Sequence, residues 1–221
     1  MSRHLCLTFI FLLTFASAAR ADYNAGKIAY DAKQWVQAIS ELRPLAEAGD
    51  DRAQFLLGKM YLDGNGVVTS PVEAMHLYRQ AARKNNAEAM VSIATIYQAG
   101  IGYRKNLKLA NTWFGRAAET GNQAAAFFYA ISLFQGDPSH ETDLQQNPTA
   151  SYKWLKIAAS MNAYANVQTA ATETAKVVAA RLKSIEIAQA EKEAAAWKPA
   201  EPATLGPLPA EEDPRIIPQK K

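Results

Sequence analysis

Asp51–Asn85, DRAQFLLGKMYLDGNGVVTSPVEAMHLYRQAARKN, reads as two helices around a glycine loop. The first helix runs from about Asp51 to Leu62. Gly64-Asn65-Gly66 ends it, because glycine and asparagine accept left-handed backbone at little cost. Ser70-Pro71-Val72-Glu73 starts the second helix. Serine caps the free amides, proline suits the first helical position, and the glutamate three residues on can close a capping box. The unit then recurs 36 residues later. Ala53, Gly58, Tyr61, Gly64, Gly66, Ala74, Tyr78, Ala81 and Ala82 become Ala89, Ala94, Tyr97, Gly100, Gly102, Ala110, Phe114, Ala117 and Ala118. A fixed period of roughly 20–50 residues marks a helical array.

The register extends both ways. Residues 22–49 form a degenerate first repeat, with Ala38, Leu42, Leu45 and Ala46 standing 36 residues before Ala74, Tyr78, Ala81 and Ala82. Trp35 and Ile39 lengthen its apolar stripe, and Pro44 should kink or limit its second helix. Repeats two and three are residues 50–85 and 86–121, the latter with Gly100-Ile101-Gly102 as its loop and Asn106 as the cap of its second helix. Residues 122–162 make the fourth repeat, in which Ala125, Ala130, Leu133 and Gly136 keep the register. Trp154, Ala158 and Ala159, however, lie 41 residues after Trp113, Ala117 and Ala118. Five extra residues therefore sit between Gly136 and Asn147, and insertions in arrays map to loops. Gly49, Asn85, Gly121 and Asn162 close the four second helices, and all four are residue types that tolerate the positive φ of a helix C-cap.

Residues 163–197 stay helical in pattern but leave the repeat. They are expected to form a capping helix pair, with Trp197 packing back on the array, since a large aromatic normally finds a burial site. Residues 198–221 hold six of the ten prolines. With few apolar residues they are expected to be disordered or extended. The fold class is then all-α: an α/α superhelical solenoid of about four helix-turn-helix repeats with a C-terminal capping pair.

Residues 1–21 read as a secretory signal peptide. Arg3 and His4 precede an apolar run from Leu5 to Ala16, and Ala19-Arg20-Ala21 is a small-x-small cleavage signal, with Ala16-Ser17-Ala18 as a second site. The run is shorter than the roughly 20 residues a membrane span needs. Cleavage after Ala21 leaves 22 basic against 21 acidic residues. That balance argues against nucleic-acid binding, which needs a basic stripe to neutralise phosphates. It supplies no polybasic membrane patch either. The single cysteine, Cys6, lies in the leader, which excludes a catalytic thiol and a cysteine zinc site from the mature chain.

The pattern resembles the Sel-1-like repeat family, relatives of tetratricopeptide repeats. Ala53, Leu57, Gly58, Tyr61, Gly64, Gly66 and Val67 match the first half of that family's unit. Ala110, Trp113, Phe114, Ala117, Ala118 and Gly121 match the second. The resemblance covers residues 23–162. Ala94 and Ala130 depart from the unit by replacing the helix-contact glycine, and repeat four lacks the second loop glycine. The resemblance implies a superhelix that serves as a protein-binding adaptor, often in bacterial envelopes. One branch of the family is linked to β-lactam binding or hydrolysis, but its repeats carry paired cysteines that this chain lacks.

The residues themselves offer little chemistry. Glu73 and His76 stand at i, i+3, the spacing of helical di-metal sites, yet no second Glu-x-x-His exists to complete one. His140, Glu141 and Asp143 share the insertion, where a polar surface loop accounts for them. No nucleophile elbow and no phosphate loop is present. No catalytic, cofactor-binding or metal-binding residue is therefore assigned. The expected function is that of an exported, non-catalytic adaptor for another cell-envelope protein, periplasmic or secreted. The alternative is a cell-wall ligand-binding protein or hydrolase acting on peptidoglycan or a β-lactam, with the loop at residues 137–146 as the donor of its polar groups.

Overall fold

The computed structural model describes residues 21–139 and 143–209. Residues 1–20 of the leader, residues 140–142 of the insertion and residues 210–221 of the proline-rich tail lie outside the described residues. Ten α-helices and one 3-10 turn are present, with no strand among the described residues. The helices are α1 (Tyr23–Asp31), α2 (Trp35–Glu47), α3 (Asp51–Asp63), α4 (Pro71–Ala82), α5 (Ala87–Ala99), α6 (Leu107–Glu119), α7 (Gln123–Gln135), α8 (Pro148–Ser160), α9 (Ala165–Ala179) and α10 (Ser184–Ala196). From α1 to α9 each helix packs on the next, which is the connectivity of a solenoid. None of these helices is long and apolar enough to cross a membrane.

Asparagine, serine and aspartate start the repeat helices as their sequences predict. Ser70, Asn106 and Asn147 accept the amides of Glu73, Leu109 and Ala150. Asp50, Asn86 and Asn122 do the same for α3, α5 and α7. Pro44 lies inside α2, which continues past it to Glu47.

The core lies between the two layers of helices as two buried clusters, one from Ala29 to Met60 and a larger one from Ala74 to Ala190, with the partly buried Phe55 and Tyr61 packed against both. Tyr78, Trp113, Phe114, Leu155 and Ile157 are fully buried, and so are the alanine pairs Ala81–Ala82 and Ala117–Ala118. Small residues let paired helices approach. A Cβ on Gly58 would lie 2.7 Å from the Tyr78 ring, and one on Gly26 would lie 2.8 Å from Leu42. Leu42 stands 36 residues before Tyr78 but Gly26 only 32 before Gly58. The first repeat thus has the family's close contact and a shorter loop, residues 32–34 in place of 64–70.

Three of the four expected C-cap residues have positive φ: Gly49 at 91°, Asn85 at 62° and Gly121 at 89°. Asn162 does not. Helix α8 ends at Ser160 and Met161 is already extended, with φ −82° and ψ 147°. Gln123, 2 % exposed, takes over the junction. Its Nε2 donates to the carbonyls of Ala158 and Met161, and its Oε1 accepts from the amide of Tyr164. A side chain from the preceding helix thereby satisfies groups that a left-handed cap would otherwise handle.

The last two helices do not form a hairpin of the repeat kind. Helix α9 packs on α8 and α7, while α10 returns to α8. Ion pairs Lys156–Glu191 (3.2 Å) and Lys153–Glu193 (3.5 Å) join α10 to α8, and the Tyr152 hydroxyl donates to Glu191. Trp197 then sets its ring edge-on to Trp154, with centroids 5.6 Å apart. Beyond it, where the sequence predicts a disordered or extended tail, residues 198–209 lie against α6 through main-chain hydrogen bonds.

Candidate partner-binding surface

Odd-numbered helices approach one another across their own layer, α1 with α3 and α7 with α9. The odd-numbered helices α1, α3, α5 and α7 form one layer of the array. Its outward residues follow the 36-residue register in three rows: Phe55, Val91 and Phe127; Lys59, Thr95 and Ile131; Leu62, Gln98 and Phe134. None of the nine is fully buried, because their side of each helix has no facing helix. All three rows are apolar on α7, whereas Lys59 on α3 and Thr95 and Gln98 on α5 are polar. Helix α7, QAAAFFYAISLFQ, has no charged residue in its 13 positions. Phe128 on it is 44 % exposed and stacks with Phe127 and Phe114. At one end the Lys59 ammonium lies 6.0 Å from the Phe55 ring, and at the other the Arg181 guanidinium lies 4.6 Å over Phe134. An apolar strip with cations at its ends suits a segment that is apolar in the middle and acidic or aromatic at its edges.

The residues with chemical potential lie elsewhere. Glu73 and His76 are exposed on α4 and line a cleft of about 260 Å³ between α2 and α4, with Arg43, Glu47 and Gln80. The His76 Nε2 is 3.4 Å from the Gln80 amide nitrogen. No group of three or more His, Cys, Asp or Glu able to hold a metal ion occurs among the described residues. Asp143 is fully exposed and chelates the Lys108 ammonium at 2.6 and 2.7 Å. The hydrogen bond from Lys108 holds its carboxyl below the usual range. His140 and Glu141 lie outside the described residues.

The insertion reshapes one inter-repeat junction. In the regular repeats the second loop glycine sits on the preceding repeat's even helix: a Cβ on Gly66 would meet Trp35 at 2.6 Å, and one on Gly102 would meet Pro71 at 2.6 Å. The corresponding residue in repeat four is Pro138. There the loop stands off α6 and leaves a pocket of about 210 Å³ lined by Leu107, Phe114, Pro138 and Leu144. Asp137 anchors the loop, its amide donating to the Leu144 carbonyl and its carboxylate accepting from Ser139.

Arg116 is the polar residue that sequence reasoning passed over. It stands where repeat two has Gln80, so the register marks it only as variable. The structure gives it three hydrogen bonds to the C-terminal segment.

Comparison with known proteins agrees with this architecture. A family model described as Sel1 repeat matches residues 51–86, 87–122 and 123–162. The chain is similar to an exopolysaccharide production negative regulator of Rhizobium meliloti, 26 % identical over 159 residues, covering 66 % of this chain and 58 % of that protein. It is also similar to protein sel-1 homolog 2 of Mus musculus, 28 % identical over 151 residues, covering 67 % of this chain and 22 % of that one. The chain thus spans little more than half of the regulator and a smaller part of the mouse protein. Among solved structures, a Sel1 repeat protein from Oxalobacter formigenes superposes with a TM-score of 0.51 at 24 % identity, covering 61 % of this chain and 97 % of that one. A protective antigen of uropathogenic Escherichia coli displaying an SLR fold gives 0.60 at 25 % identity, covering 72 % and 32 %.

Proposed function

The chain belongs to the Sel1 repeat family, and from that premise we propose that it is an exported, non-catalytic adaptor whose odd-helix face holds a segment of another cell-envelope protein. The observation that carries this reading is α7, an uncharged helix with a partly exposed aromatic and aliphatic face in the last repeat of the array. An apolar stripe left without a facing helix is the helix-in-groove geometry by which such surfaces capture an amphipathic segment. The similarity to a negative regulator supports a role in controlling a partner rather than transforming a substrate.

Export rests on the leader sequence, and the start of α1 is compatible with cleavage after Ala21. Asp22 caps α1 by accepting the amide of Asn24, and its own nitrogen lies 3.0 Å from the Glu41 carboxylate. Processing at that bond would turn the nitrogen into an ammonium group beside a carboxylate, a favourable pair at the surface. A mature amino terminus at Asp22, read by mass spectrometry of the protein recovered from the periplasm, is the expected result.

Thr95 is exposed at the centre of the face and makes only a hydrogen bond within its own helix. Immobilised mature chain should retain a protein from a periplasmic extract at physiological salt, and Thr95→Arg should lose it with an unchanged melting temperature. Equal capture by both, or turnover of nitrocefin or muropeptides by the pure chain, would overturn the adaptor reading.

A further inference from the structure

A second docking arrangement lies on α6, on the even layer and away from the face just described. After Trp197 the chain turns back over this helix. The Trp197 Nε1 donates to the Glu119 carboxylate (3.2 Å), the Ala200 amide donates to the Glu119 carbonyl (2.7 Å), and Pro199 lies over Gly121. Arg116 then addresses three successive carbonyls. Its Nη1 donates to Leu205 (2.7 Å) and Pro207 (3.0 Å), and its Nη2 to Gly206 (2.9 Å).

These contacts recognise a main-chain path rather than particular side chains. The path is a turn: Pro202–Thr204 form a 3-10 turn, Leu205 is helical (φ −68°, ψ −8°) and Gly206 is left-handed (φ 67°), with prolines on either side that preset φ and leave their carbonyls free to accept. Residues 198–209, KPAEPATLGPLP, contain four prolines. The fit is incomplete in two respects. A cavity of about 470 Å³ remains between Thr112, Arg116 and Glu119 on one side and Leu205 and Pro207 on the other. The Arg116 Nε–H is buried without a partner, one donor more than the segment satisfies.

We propose that the outer face of α6, centred on Arg116, is a binding site for a proline-rich segment of a partner protein that turns through a glycine, and that residues 198–209 occupy it in cis as a tethered competitor. A short tether holds its segment at an effective concentration on the order of millimolar, so a weak fit is enough to keep the site closed. An incoming segment that fills the cavity and accepts from the free Nε–H outcompetes it. A second copy of this chain is not the occupant, because its tail would bring the same contacts, leave the same donor unmet and forgo the tether.

The test uses the full chain and a fluorescein-labelled peptide of residues 198–209, read by fluorescence anisotropy. Gly206→Val loosens the resident segment: Gly206 sits at φ 67°, which a β-branched residue disfavours, and a Cβ there has nothing within 4 Å, so the site itself is untouched. The peptide should bind Gly206→Val at least about tenfold more tightly than the unaltered chain, the gain expected from removing a tethered competitor. Adding Arg116→Gln should abolish that binding. Arg116→Lys, which keeps the charge and the stem but not the fork, should lose as much and guards against a folding defect in the glutamine variant. Thr95→Arg should leave peptide binding unchanged, which separates this site from the odd-helix face. Equal affinity for the unaltered and Gly206→Val chains, or binding retained without Arg116, overturns the proposal. So does a concentration-dependent doubling of mass in Gly206→Val, which would reassign the site to tails exchanged between copies.

Discussion

At the scale of single residues the array is governed by how closely two helices can approach. Gly58 has no room for a Cβ, because Tyr78 fills the space at 2.7 Å. One repeat on, the same place is held by Ala94, and two repeats on by Ala130, both fully buried. These alanines fit because the residue opposite shrinks from tyrosine to Phe114 on α6 and then, five residues later in register because of the insertion, to Leu155 on α8. A larger side chain has nowhere to go. Ala94→Leu should lower stability by about 1–3 kcal/mol, the usual cost of overpacking a filled core. Urea denaturation followed by circular dichroism measures it, and an unchanged midpoint would show that the register is misplaced. These contacts were legible in the sequence, since a small residue at a fixed distance from a large one repeats. Gln123 and Arg116 were not. Each acts on main-chain groups brought near by the fold, and main-chain groups leave no mark in a sequence.

At the scale of the element, the glycine loops carry two separate duties that look identical in the sequence. Gly64 and Gly100 end helices in the left-handed region, φ 73° and 74°. Gly66 and Gly102 also have positive φ, but they additionally press the loop onto the previous repeat at Trp35 and Pro71. A Cβ on Gly100 would meet Lys105 at 3.4 Å, ordinary contact, whereas one on Gly102 would meet Pro71 at 2.6 Å. Gly100→Ala therefore suffers only backbone strain, and Gly102→Ala suffers strain plus a clash with a rigid ring. Gly102→Ala should be the more destabilising by at least about 1 kcal/mol, the lower end of an overpacking cost. Equal thermal shifts for the two variants would contradict the division of labour. The same logic explains the pocket beside Leu107: with Pro138 in place of the second glycine, the loop of repeat four no longer seats on α6.

At the scale of the whole molecule, a solenoid is stable only when its ends are covered. Helices α9 and α10 both lie on α8, whose Trp154, Leu155 and Ile157 are buried. A chain ending at Ser160 should expose that surface and gain mass with concentration in light scattering; a monodisperse monomer would show that the cap is dispensable. The repeat period, the helix starts, the loop glycines and the family were determined by the sequence alone, because each depends on residues near in sequence or one period apart. Two features were decided only by the tertiary structure. One is the arrangement of α9 and α10, which share α8 rather than pairing as a hairpin. The other is the course of residues 198–209, whose proline content by itself suggests a solvated chain. The physical reason is common to both: their partners are the surface of α8 and the Arg116 guanidinium of α6, about 40 to 90 positions away in the chain, at separations no repeat period encodes.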